Sequence, residues 1–290
     1  MSTVAVILAA GLGKRMNSSL PKVLHPVLGD PTLLWVLRSL PSSVSAVVLV
    51  LHHGKAQIEK TVADWQAKGL LPCPVHTVDQ KEPLGTGHAV QQAVSELDRL
   101  NPTQVVILCG DVPLLSSDSV ARLADREACL LAMDLDNPTG YGRVLQQANG
   151  VLKGIVEQKD ATAEILAIRR VNGGAYSLPW SALKPALAGL SNNNAQGEYY
   201  LTDAVVAVAA QVPVEVELCE ARELLGMNSR LDQAQLQALA QQRTNARWMH
   251  LGVTMLSPET TFIGPQVWLG VDVVLEPNVR LEGLVEVGKG

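Results

Sequence analysis

The 290-residue sequence has few aromatic residues, few charges and no long apolar runs. Aromatic residues make up 3% of the chain and charged residues 18%, whereas 47% are hydrophobic. No stretch reaches the roughly 20 apolar residues that a membrane-spanning helix requires. A targeting signal is not recognisable either. We therefore expect a soluble, cytoplasmic protein with a large apolar core and no membrane partner.

Basic residues and cysteines are also scarce. The 23 Lys and Arg against 28 Asp and Glu give a formal net charge of −5, which excludes a nucleic-acid binder that works through a broad basic face. The cysteines are too widely spaced for a CxxC zinc or redox motif. They are predicted to be buried, reduced thiols: Cys73, Cys109, Cys129 and Cys219.

Apolar strand patterns alternate with helical patterns in the first half of the chain, which predicts βαβ units and a mostly parallel sheet. The predicted strands cover 4–8, 44–51, 75–78 and 105–109, and the predicted helices cover 33–40, 57–68 and 86–100. Four further strands either extend the sheet or form a substrate lid: 130–134, 142–146, 152–157 and 171–177. A helix over 203–211, a strand over 214–218 and a long connecting helix over 231–250 follow.

The last forty residues repeat with a period of six. The apolar positions of the repeat are Val267, Val273, Val279 and Val285, with Leu269, Leu275, Leu281 and Val287 two positions later. A hexapeptide repeat is typical of a left-handed parallel β-helix, in which neighbouring coils bury a shared core. The alternative is a few edge strands. Because the sequence holds only one to two coils, we expect a chain cut near the start of a longer β-helix.

Positive charge concentrates in one glycine-rich segment after the first predicted strand, LAAGLGKRMNSSLPKVLHPVLG at 8–29. The segment fits neither the Walker A template, because Arg15 follows the lysine, nor GxGxxG, because Met16 replaces the third glycine. Glycines allow backbone amides to approach an anion, and Lys14, Arg15 and Lys22 supply positive charge. This pattern favours a polyphosphate site. The alternative is an ordinary glycine turn with solvated charges.

The segment resembles the signature loop of the sugar-phosphate nucleotidyltransferases. It is most similar to the bacterial family of bifunctional N-acetylglucosamine-1-phosphate uridyltransferases / glucosamine-1-phosphate N-acetyltransferases. Other segments resemble that family in the same order: LGTGHAVQQA (84–93), CGDVPLL (109–115), PTGYGRV (138–144), GIVEQKDAT (154–162), NNNAQGEYYLTD (192–203) and GMNSRL (226–231). The resemblance implies a Rossmann-like α/β nucleotidyltransferase domain over 1–229, a connecting helix over 230–250 and an incomplete β-helix over 251–290.

The family reaction is transfer of a uridylyl group from UTP to N-acetylglucosamine 1-phosphate. It gives pyrophosphate and UDP-N-acetylglucosamine, a cell-wall precursor. Because the attacking phosphate is already an anion, the reaction requires positioning and charge neutralisation rather than a base. Acetyl transfer requires the rest of the β-helix, so we expect this chain to lack that activity. The family trimerises largely through the β-helix, which leaves the oligomeric state of this chain open.

The resemblance also assigns roles to individual residues. Arg15 and Lys22 would stabilise charge on the phosphates, although they also fit a solvated surface pair. Asp111 and Asn228 would hold Mg²⁺, with phosphates and waters completing the octahedron. The alternatives are a turn or cap for Asp111 and a helix N-cap for Asn228. The implied substrate-binding residues are Leu8, Ala9, Ala10, Gly11, Gln80, Gly85 and Thr86 for uridine, Gly142, Glu157 and Asn172 for the sugar, and Lys22, Cys109, Gly110, Asp111 and Asn228.

The sequence departs from the family pattern near the expected sugar site. Cys109 stands where we expect Tyr, and Asn-Gly-Gly at 172–174 replaces Asn-Thr-Gly. These changes affect sugar contacts and not the reaction type. Residues 192–194, Glu198 and Asp203 are expected near the sugar or the metal, without individual roles.

Two further hypotheses stay open on the sequence alone. The first is a nucleotidyltransferase with another base or sugar, such as a glucose-1-phosphate thymidylyltransferase. The second is a catalytically silent nucleotide-sugar binding module. His25 and His88 have no nucleophile beside them in the sequence pattern, and we assign neither a catalytic role.

Overall fold

The computed structural model describes residues 2–290. The first part of the chain contains eleven strands: β1 (Thr3–Ala9), β2 (Pro26–Val27), β3 (Asp30–Pro31), β4 (Val44–Leu51), β5 (Val75–Asp79), β6 (Gln104–Cys109), β7 (Cys129–Asp134), β8 (Arg143–Gln146), β9 (Leu152–Val156), β10 (Arg170–Pro179) and β11 (Glu215–Leu218). The helices are α1 (Thr32–Arg38), α2 (Lys55–Ala67), α3 (Thr86–Leu100), α4 (Ser117–Ala124), α5 (Ala163–Leu166), α6 (Trp180–Ala188), α7 (Leu201–Ala209) and α8 (Arg230–His250). The tail adds β12 (Thr254–Met255), β13 (Phe262–Ile263), β14 (Val267–Leu269), β15 (Val274–Leu275), β16 (Arg280–Leu281) and β17 (Val285–Val287).

A nine-stranded sheet forms the centre of the fold, in the order β11-β7-β10-β6-β1-β4-β5 with the β8–β9 hairpin attached to β10. Strand β1 is parallel to β4 and β6, and β4 is parallel to β5. Only β9 and β10 run against this direction, because β8 is antiparallel to β10 and β9 is antiparallel to β8. The predicted mostly parallel sheet is confirmed, and the predicted strand at 171–177 extends the sheet instead of forming a lid.

Helices cover both faces of the sheet, which explains why β1, β4 and β6 are apolar at nearly every position. On β1, Val4 and Val6 pack into the core cluster that includes residues of α3, α6 and α7. Ala5 and Ile7 face the opposite cluster, which includes residues of α1, α2 and α4. The result is a three-layer α/β architecture, with its loops gathered at the carboxyl ends of the parallel strands.

The sequence patterns missed the three helices α4, α5 and α6, and they overestimated the burial of the thiols. Helix α4 follows a turn-rich segment, and α6 contains Pro185 within its nine residues. All four cysteines are free, as predicted, but only Cys129 is buried. The other three are half-buried, because they lie at the end of a strand or in loops. The prediction that all four are buried is therefore wrong.

Helix α8 joins the sheet domain to a coil built from the tail. Three two-stranded parallel sheets pair β12 with β15, β13 with β16 and β14 with β17. Val267 pairs with Val285, eighteen residues later, so three hexads complete one turn. The buried apolar residues of the repeat pack against Trp248 of α8. The hexapeptide prediction is confirmed and the edge-strand alternative is wrong, whereas the left hand of the coil and the domain boundaries stay predictions.

Side-chain amides of α8 fix the coil to the helix. Asn245 Nδ2 donates to the carbonyl oxygens of Pro258 (2.7 Å) and Thr261 (2.9 Å). Gln241 Nε2 donates to the same Thr261 oxygen at 2.8 Å. These bonds satisfy backbone groups that the irregular start of the coil would otherwise bury unpaired. Across residues 2–290, no helix has both the length and the apolarity needed to cross a membrane.

Candidate functional site

Two cavities meet at the carboxyl ends of β1 and β6. The first, of about 420 Å³, contains ten of the residues predicted from the sequence: Leu8, Ala9, Ala10, Gly11, Lys22, Gln80, Gly85, Thr86, Cys109 and Asp111. The second, of about 470 Å³, contains five of them: Arg15, Cys109, Asp111, Asn172 and Asn228. Cys109 and Asp111 line both cavities. The geometry therefore provides two adjoining pockets with a shared wall.

Lys22 lies where segments distant in the sequence come together. Its Nζ donates to Asp111 Oδ2, and also to Asn228 Oδ1 at 3.2 Å. Only 14% of the Lys22 side chain and 15% of the Asp111 side chain are exposed. A charged hydrogen bond at this depth is worth more than a solvated surface contact. The alternative that treats Lys22 as part of a solvated surface pair is therefore wrong.

A glycine in the opening loop makes room for this lysine. Gly13 has φ +58°, a left-handed conformation that side chains rarely adopt. A Cβ on Gly13 would lie 3.0 Å from Lys22 Cβ, and one on Gly11 would lie 3.8 Å from Lys22 Nζ. The close approach of the loop to Lys22 therefore depends on Gly13, because a Cβ on Gly11 would make only an ordinary van der Waals contact.

Asn228 is placed by the start of α8. The Met227 N–H donates to the Asp111 carbonyl oxygen at 2.9 Å, which fixes the two segments together. The helix cap is Ser229, whose hydroxyl accepts from the Asp232 N–H while Asp232 accepts from the Ser229 N–H at 2.8 Å. The Asn228 side chain is therefore free of the capping role and points to Lys22. The helix-cap alternative for Asn228 is wrong.

Asp111 likewise caps no helix. The cap of α4 is Ser116, whose Oγ accepts from the Ser119 N–H at 3.2 Å. Asp111 instead directs its carboxylate to the Lys22 ammonium, as Asn228 directs its amide oxygen. The two oxygens therefore converge on one cation, and oxygen is the ligand type that Mg²⁺ prefers. In the described residues 2–290, no cluster of three His, Cys, Asp or Glu could hold a metal, so substrate oxygens or waters would have to complete any coordination.

Gln80 forms the inner wall of the first cavity and is only 4% exposed. Its N–H donates to the Leu51 carbonyl oxygen at 2.7 Å, and its Nε2 donates to the Gly85 carbonyl oxygen at 2.9 Å. The side-chain oxygen is thereby oriented by a bond that its own amide nitrogen makes. This is a fixed, buried amide and not a mobile loop residue.

The segment 192–203 folds back over residues 84–87. Tyr199 donates its N–H to the Leu84 carbonyl oxygen at 2.9 Å and accepts from the Gly87 N–H at 2.7 Å. Gly85 has φ +112°, and a Cβ there would lie 2.6 Å from the Tyr199 carbonyl oxygen. Thr86 Oγ1 accepts from the Leu201 N–H at 3.1 Å. Two segments that resemble the family thus form one structural unit at the cavity mouth.

The predicted sugar residues form a second group. Asn172 lines the second cavity, and its N–H donates to the Gly142 carbonyl oxygen at 2.9 Å. Glu157 Oε1 accepts from the Thr202 hydroxyl at 3.0 Å, and a Cβ on Gly142 would lie 3.3 Å from the Glu157 carboxylate. Gly142, Glu157 and Gly110 line neither of the two cavities. Gly142 therefore lies next to both Asn172 and Glu157. Gly142 and Glu157 lie beside the two cavities, whereas Asn172 lines the second.

Burial changes the protonation of two groups near the shared wall. It raises the pKa of Glu157, and the neighbouring carboxylates of Asp203, Asp160 and Glu198 raise it further, whereas the Thr202 hydroxyl bond lowers it. Burial together with Asp111 raises the pKa of Cys109 to about 12. The raised pKa favours the neutral Cys109 thiol over the thiolate that a nucleophilic cysteine requires.

Some lining residues were not singled out from the sequence. Tyr141 and Asp232 line the second cavity. Asp232 holds the backbone of Asn228 and Ser229, with an N–H···O distance of 2.9 Å to Asn228. The capping-box pattern Ser229–x–x–Asp232 was a signal that could have identified this residue. Tyr141 had no such signal.

Comparisons with known proteins agree with this geometry. The family described as "MobA-like NTP transferase domain" matches residues 5–161. The bifunctional protein GlmU of Caldanaerobacter subterraneus subsp. tengcongensis is 37% identical over 294 residues, which cover 99% of this chain and 62% of that protein. GlmU of Syntrophotalea carbinolica is 41% identical, over 99% of this chain and 61% of its own length. The chain thus spans about three fifths of the length of these curated relatives.

A solved structure shares the fold. UDP-glucose pyrophosphorylase complexed with UDP-glucose superimposes with a TM-score of 0.68, over 84% of this chain and 100% of that chain. The two sequences are 16% identical in the superposition. The match therefore supports a common Rossmann-like architecture.

Proposed function

Since the chain belongs to the family of MobA-like NTP transferase domains, we propose that it is a sugar-phosphate nucleotidyltransferase. In this proposal it transfers a uridylyl group from UTP to N-acetyl-α-D-glucosamine 1-phosphate. The resemblance to the bifunctional bacterial family is confirmed by the GlmU relatives. The observation that carries the proposal is the meeting of Lys22, Asp111 and Asn228 where the two cavities join.

Two adjoining cavities suit two substrates that react with each other. A phosphate oxygen of the sugar phosphate attacks the α-phosphorus of UTP, and the bond from that phosphorus to the oxygen of the leaving pyrophosphate breaks. The attacking oxygen carries its own negative charge, so no side chain has to remove a proton. The protein's contribution is to align the two substrates and neutralise their charge.

Lys22 and Arg15 supply positive charge from the two cavities. Lys22 lines the first cavity and Arg15 the second. In the proposed reaction the Lys22 ammonium donates to phosphate oxygens of UTP, and the Arg15 guanidinium donates to the phosphates from the acceptor side. Both would hold the substrates in line and stabilise the charge that the leaving pyrophosphate acquires.

We propose that Asp111 and Asn228 hold Mg²⁺. Their Oδ2 and Oδ1 atoms both accept from the one Lys22 ammonium, so they face a common cation position, which the ammonium would leave to donate to the UTP phosphates. Two protein oxygens, with substrate phosphates and waters, suit the octahedral preference of Mg²⁺. When bound, the ion neutralises phosphate charge.

The first cavity also offers a basis for uracil recognition. Gln80 Nε2 is engaged with the Gly85 carbonyl oxygen. This leaves the buried Gln80 Oε1 to accept from the N3–H of uracil. The backbone of residues 8–11 lines the same cavity and would pack against the base. Because UDP-N-acetylglucosamine is a cell-wall precursor, the proposed activity places the protein in cell-wall biogenesis in the bacterial cytoplasm.

The test is pyrophosphate release from UTP and N-acetylglucosamine 1-phosphate in the presence of Mg²⁺. We expect turnover with this pair to exceed that with dTTP or with glucose 1-phosphate by at least about tenfold, a discrimination that corresponds to roughly 1.4 kcal/mol. Comparable or faster pyrophosphate release with dTTP or with glucose 1-phosphate would show that the protein acts on a different class of substrate. No release from folded protein with any pair would overturn the nucleotidyltransferase proposal.

A further inference from the structure

A third cavity lies outside the candidate site. It has a volume of about 690 Å³ and lies between the end of α1, the loop before α4, helix α8 and the first turn of the coil. Its lining includes three arginines, Arg38, Arg243 and Arg247. None of its lining residues lines the two cavities that meet at Asp111. We call it the arginine cavity.

Two of these arginines lack an acidic partner. Arg243 and Arg247 are four residues apart on α8, so their side chains project from the same face of the helix. In the part of the chain that the structure describes, residues 2–290, neither guanidinium has a carboxylate oxygen within 4.0 Å. Arg38 differs, because its Nη1 lies 2.5 Å from Asp30 Oδ2. The cavity thus presents two guanidinium groups with unused donors.

The neighbours of Arg243 fix the position of its guanidinium group. Its guanidinium carbon lies 5.8 Å from the centre of the Trp35 ring, and its Nη1 donates to the Leu114 carbonyl oxygen at 2.6 Å. Burial lowers the pKa of Arg243, and Glu223 offsets this in part. The Arg243 side chain is still exposed, so an anion in the cavity can reach the guanidinium donors that the Leu114 carbonyl oxygen does not use.

Arg247 has a similar setting. Its guanidinium carbon lies 5.5 Å from the centre of the Trp248 ring, which is itself buried. Two tryptophans therefore flank the two guanidinium groups. Asp118 also lines the cavity and is exposed. Since Arg38 is paired with Asp30, Arg243 and Arg247 against Asp118 leave the lining a positive balance of one charge, in a chain whose net charge is −5.

We propose that the arginine cavity is a binding site for a small phosphorylated anion, whose phosphate group is held between the guanidinium groups of Arg243 and Arg247. Guanidinium groups match phosphate oxygens with two parallel N–H donors. A volume of about 690 Å³ is within the range of small-molecule sites. This site is independent of the proposed uridylyl transfer, because it shares no lining residue with the candidate site.

The test uses inorganic phosphate and the tryptophan indole N–H signals in nitrogen-edited NMR spectra of the full chain. Trp35 and Trp248 border the arginine cavity, whereas Trp65 and Trp180 belong to the two cores of the sheet domain and serve as internal references. We expect phosphate to shift the Trp35 and Trp248 signals saturably. Potassium chloride at the same ionic strength should not reproduce the shift.

Variants separate this site from the candidate active site. Trp35 Nε1 donates to the Val27 carbonyl oxygen in the segment that carries Lys22, so phosphate at Lys22 alone would move only the Trp35 signal. We expect Arg247→Gln to raise the phosphate midpoint for the Trp248 signal at least about tenfold, and Arg169→Gln to leave it unchanged. Arg169 is an exposed, paired arginine outside the cavity.

Three results would overturn the proposal. The first is an equal shift with potassium chloride, and the second is an unchanged midpoint in Arg247→Gln. The third is a Trp248 signal that does not respond to phosphate. Arg247→Gln removes no salt bridge found within residues 2–290, so folding should persist. The signals of Trp65 and Trp180 would verify that it does.

Discussion

Lys22 and Asn228 are 206 residues apart in the sequence, yet Lys22 Nζ donates to Asn228 Oδ1 at 3.2 Å. The same ammonium donates to Asp111. One ammonium group therefore connects three segments: the opening loop, the end of β6 and the start of α8. The positive charge that stands out in an acidic sequence lies at the junction of two cavities, where phosphates of two substrates would meet.

Replacing Lys22 should abolish most of the proposed activity. We expect Lys22→Gln to lower kcat by about 100- to 1,000-fold, since it removes a charge that would stabilise the transition state. Steady-state pyrophosphate release measures the effect. Lys60→Gln, on the exposed side of α2, is the matched control and should retain full turnover. A kcat for Lys22→Gln within a few-fold of wild type would refute the assigned role.

Variants of two adjacent residues distinguish a role in the candidate site from a role in capping helix α8. Ser229→Ala should cost about 1 kcal/mol of unfolding free energy, because it removes the cap of α8. Asn228→Ala should leave the free energy of unfolding nearly unchanged but weaken Mg²⁺ binding, measured by calorimetry. Denaturant unfolding of both variants supplies the comparison. If Asn228→Ala destabilises the chain as much as Ser229→Ala while Mg²⁺ binding is unaffected, Asn228 has a structural role only.

Glu157 should make the stability of the protein depend on pH. Burial and three nearby carboxylates raise its pKa in the folded state. Folding therefore favours the protonated form. The stabilisation is complete below the unfolded pKa and is lost as pH rises through the raised folded pKa. Above that range the ionised Glu157 carboxylate lowers the free energy of unfolding by an amount that no longer changes with pH.

Glu157→Gln removes this penalty and keeps an oxygen that can accept from Thr202. We therefore expect the variant to have a higher Tm than wild type at pH 7 and an equal Tm at pH 4. Thermal unfolding followed by circular dichroism across this range checks the difference. A difference in Tm that does not vary with pH would show that ionisation of Glu157 is not its cause.

Gly85 should tolerate no side chain. Its φ of +112° alone costs an alanine about 1–3 kcal/mol, and the Cβ would lie 2.6 Å from the Tyr199 carbonyl oxygen. Gly85→Ala should therefore be destabilised by more than Gly69→Ala. Gly69 also has positive φ, +67°, but no atom lies within 4 Å of its Cβ position. Equal unfolding free energies for the two variants would argue against the close contact of segments 84–87 and 192–203.

The sheet could be predicted because its physical cause is visible in the sequence. Strands covered on both faces are nearly continuous apolar runs, and 4–8, 44–51 (apart from Ser45) and 105–109 show this pattern. The hexapeptide period is equally visible, since an apolar residue recurs at every sixth position of the sequence. Helix α6 was missed because Pro185 lies inside it, where proline normally breaks a helix. A sequence pattern therefore predicts a helix or strand only where its residues have the usual preference for that structure.

The candidate site was predicted less completely because contacts between distant segments have no local pattern. Lys22 and Asp111 were identified from resemblance to a family, but their direct hydrogen bond was not. Asn228 could equally have been a helix cap until Ser229 proved to be the cap. Arg243 and Arg247 suggest only a solvated helix face in the sequence. Their cavity exists because the coil and α1 close over that face.

The fate of each UTP phosphorus tests the central proposal most directly. With N-acetylglucosamine 1-phosphate and Mg²⁺, label in the α-phosphate of UTP should appear in UDP-N-acetylglucosamine, and label in the γ-phosphate should appear in pyrophosphate. This distribution requires attack at the α-phosphorus, which in the proposed reaction lies beside Lys22 and Asp111. Label from the γ-phosphate in the sugar product, or α-label released as free UMP without a sugar nucleotide, would contradict it.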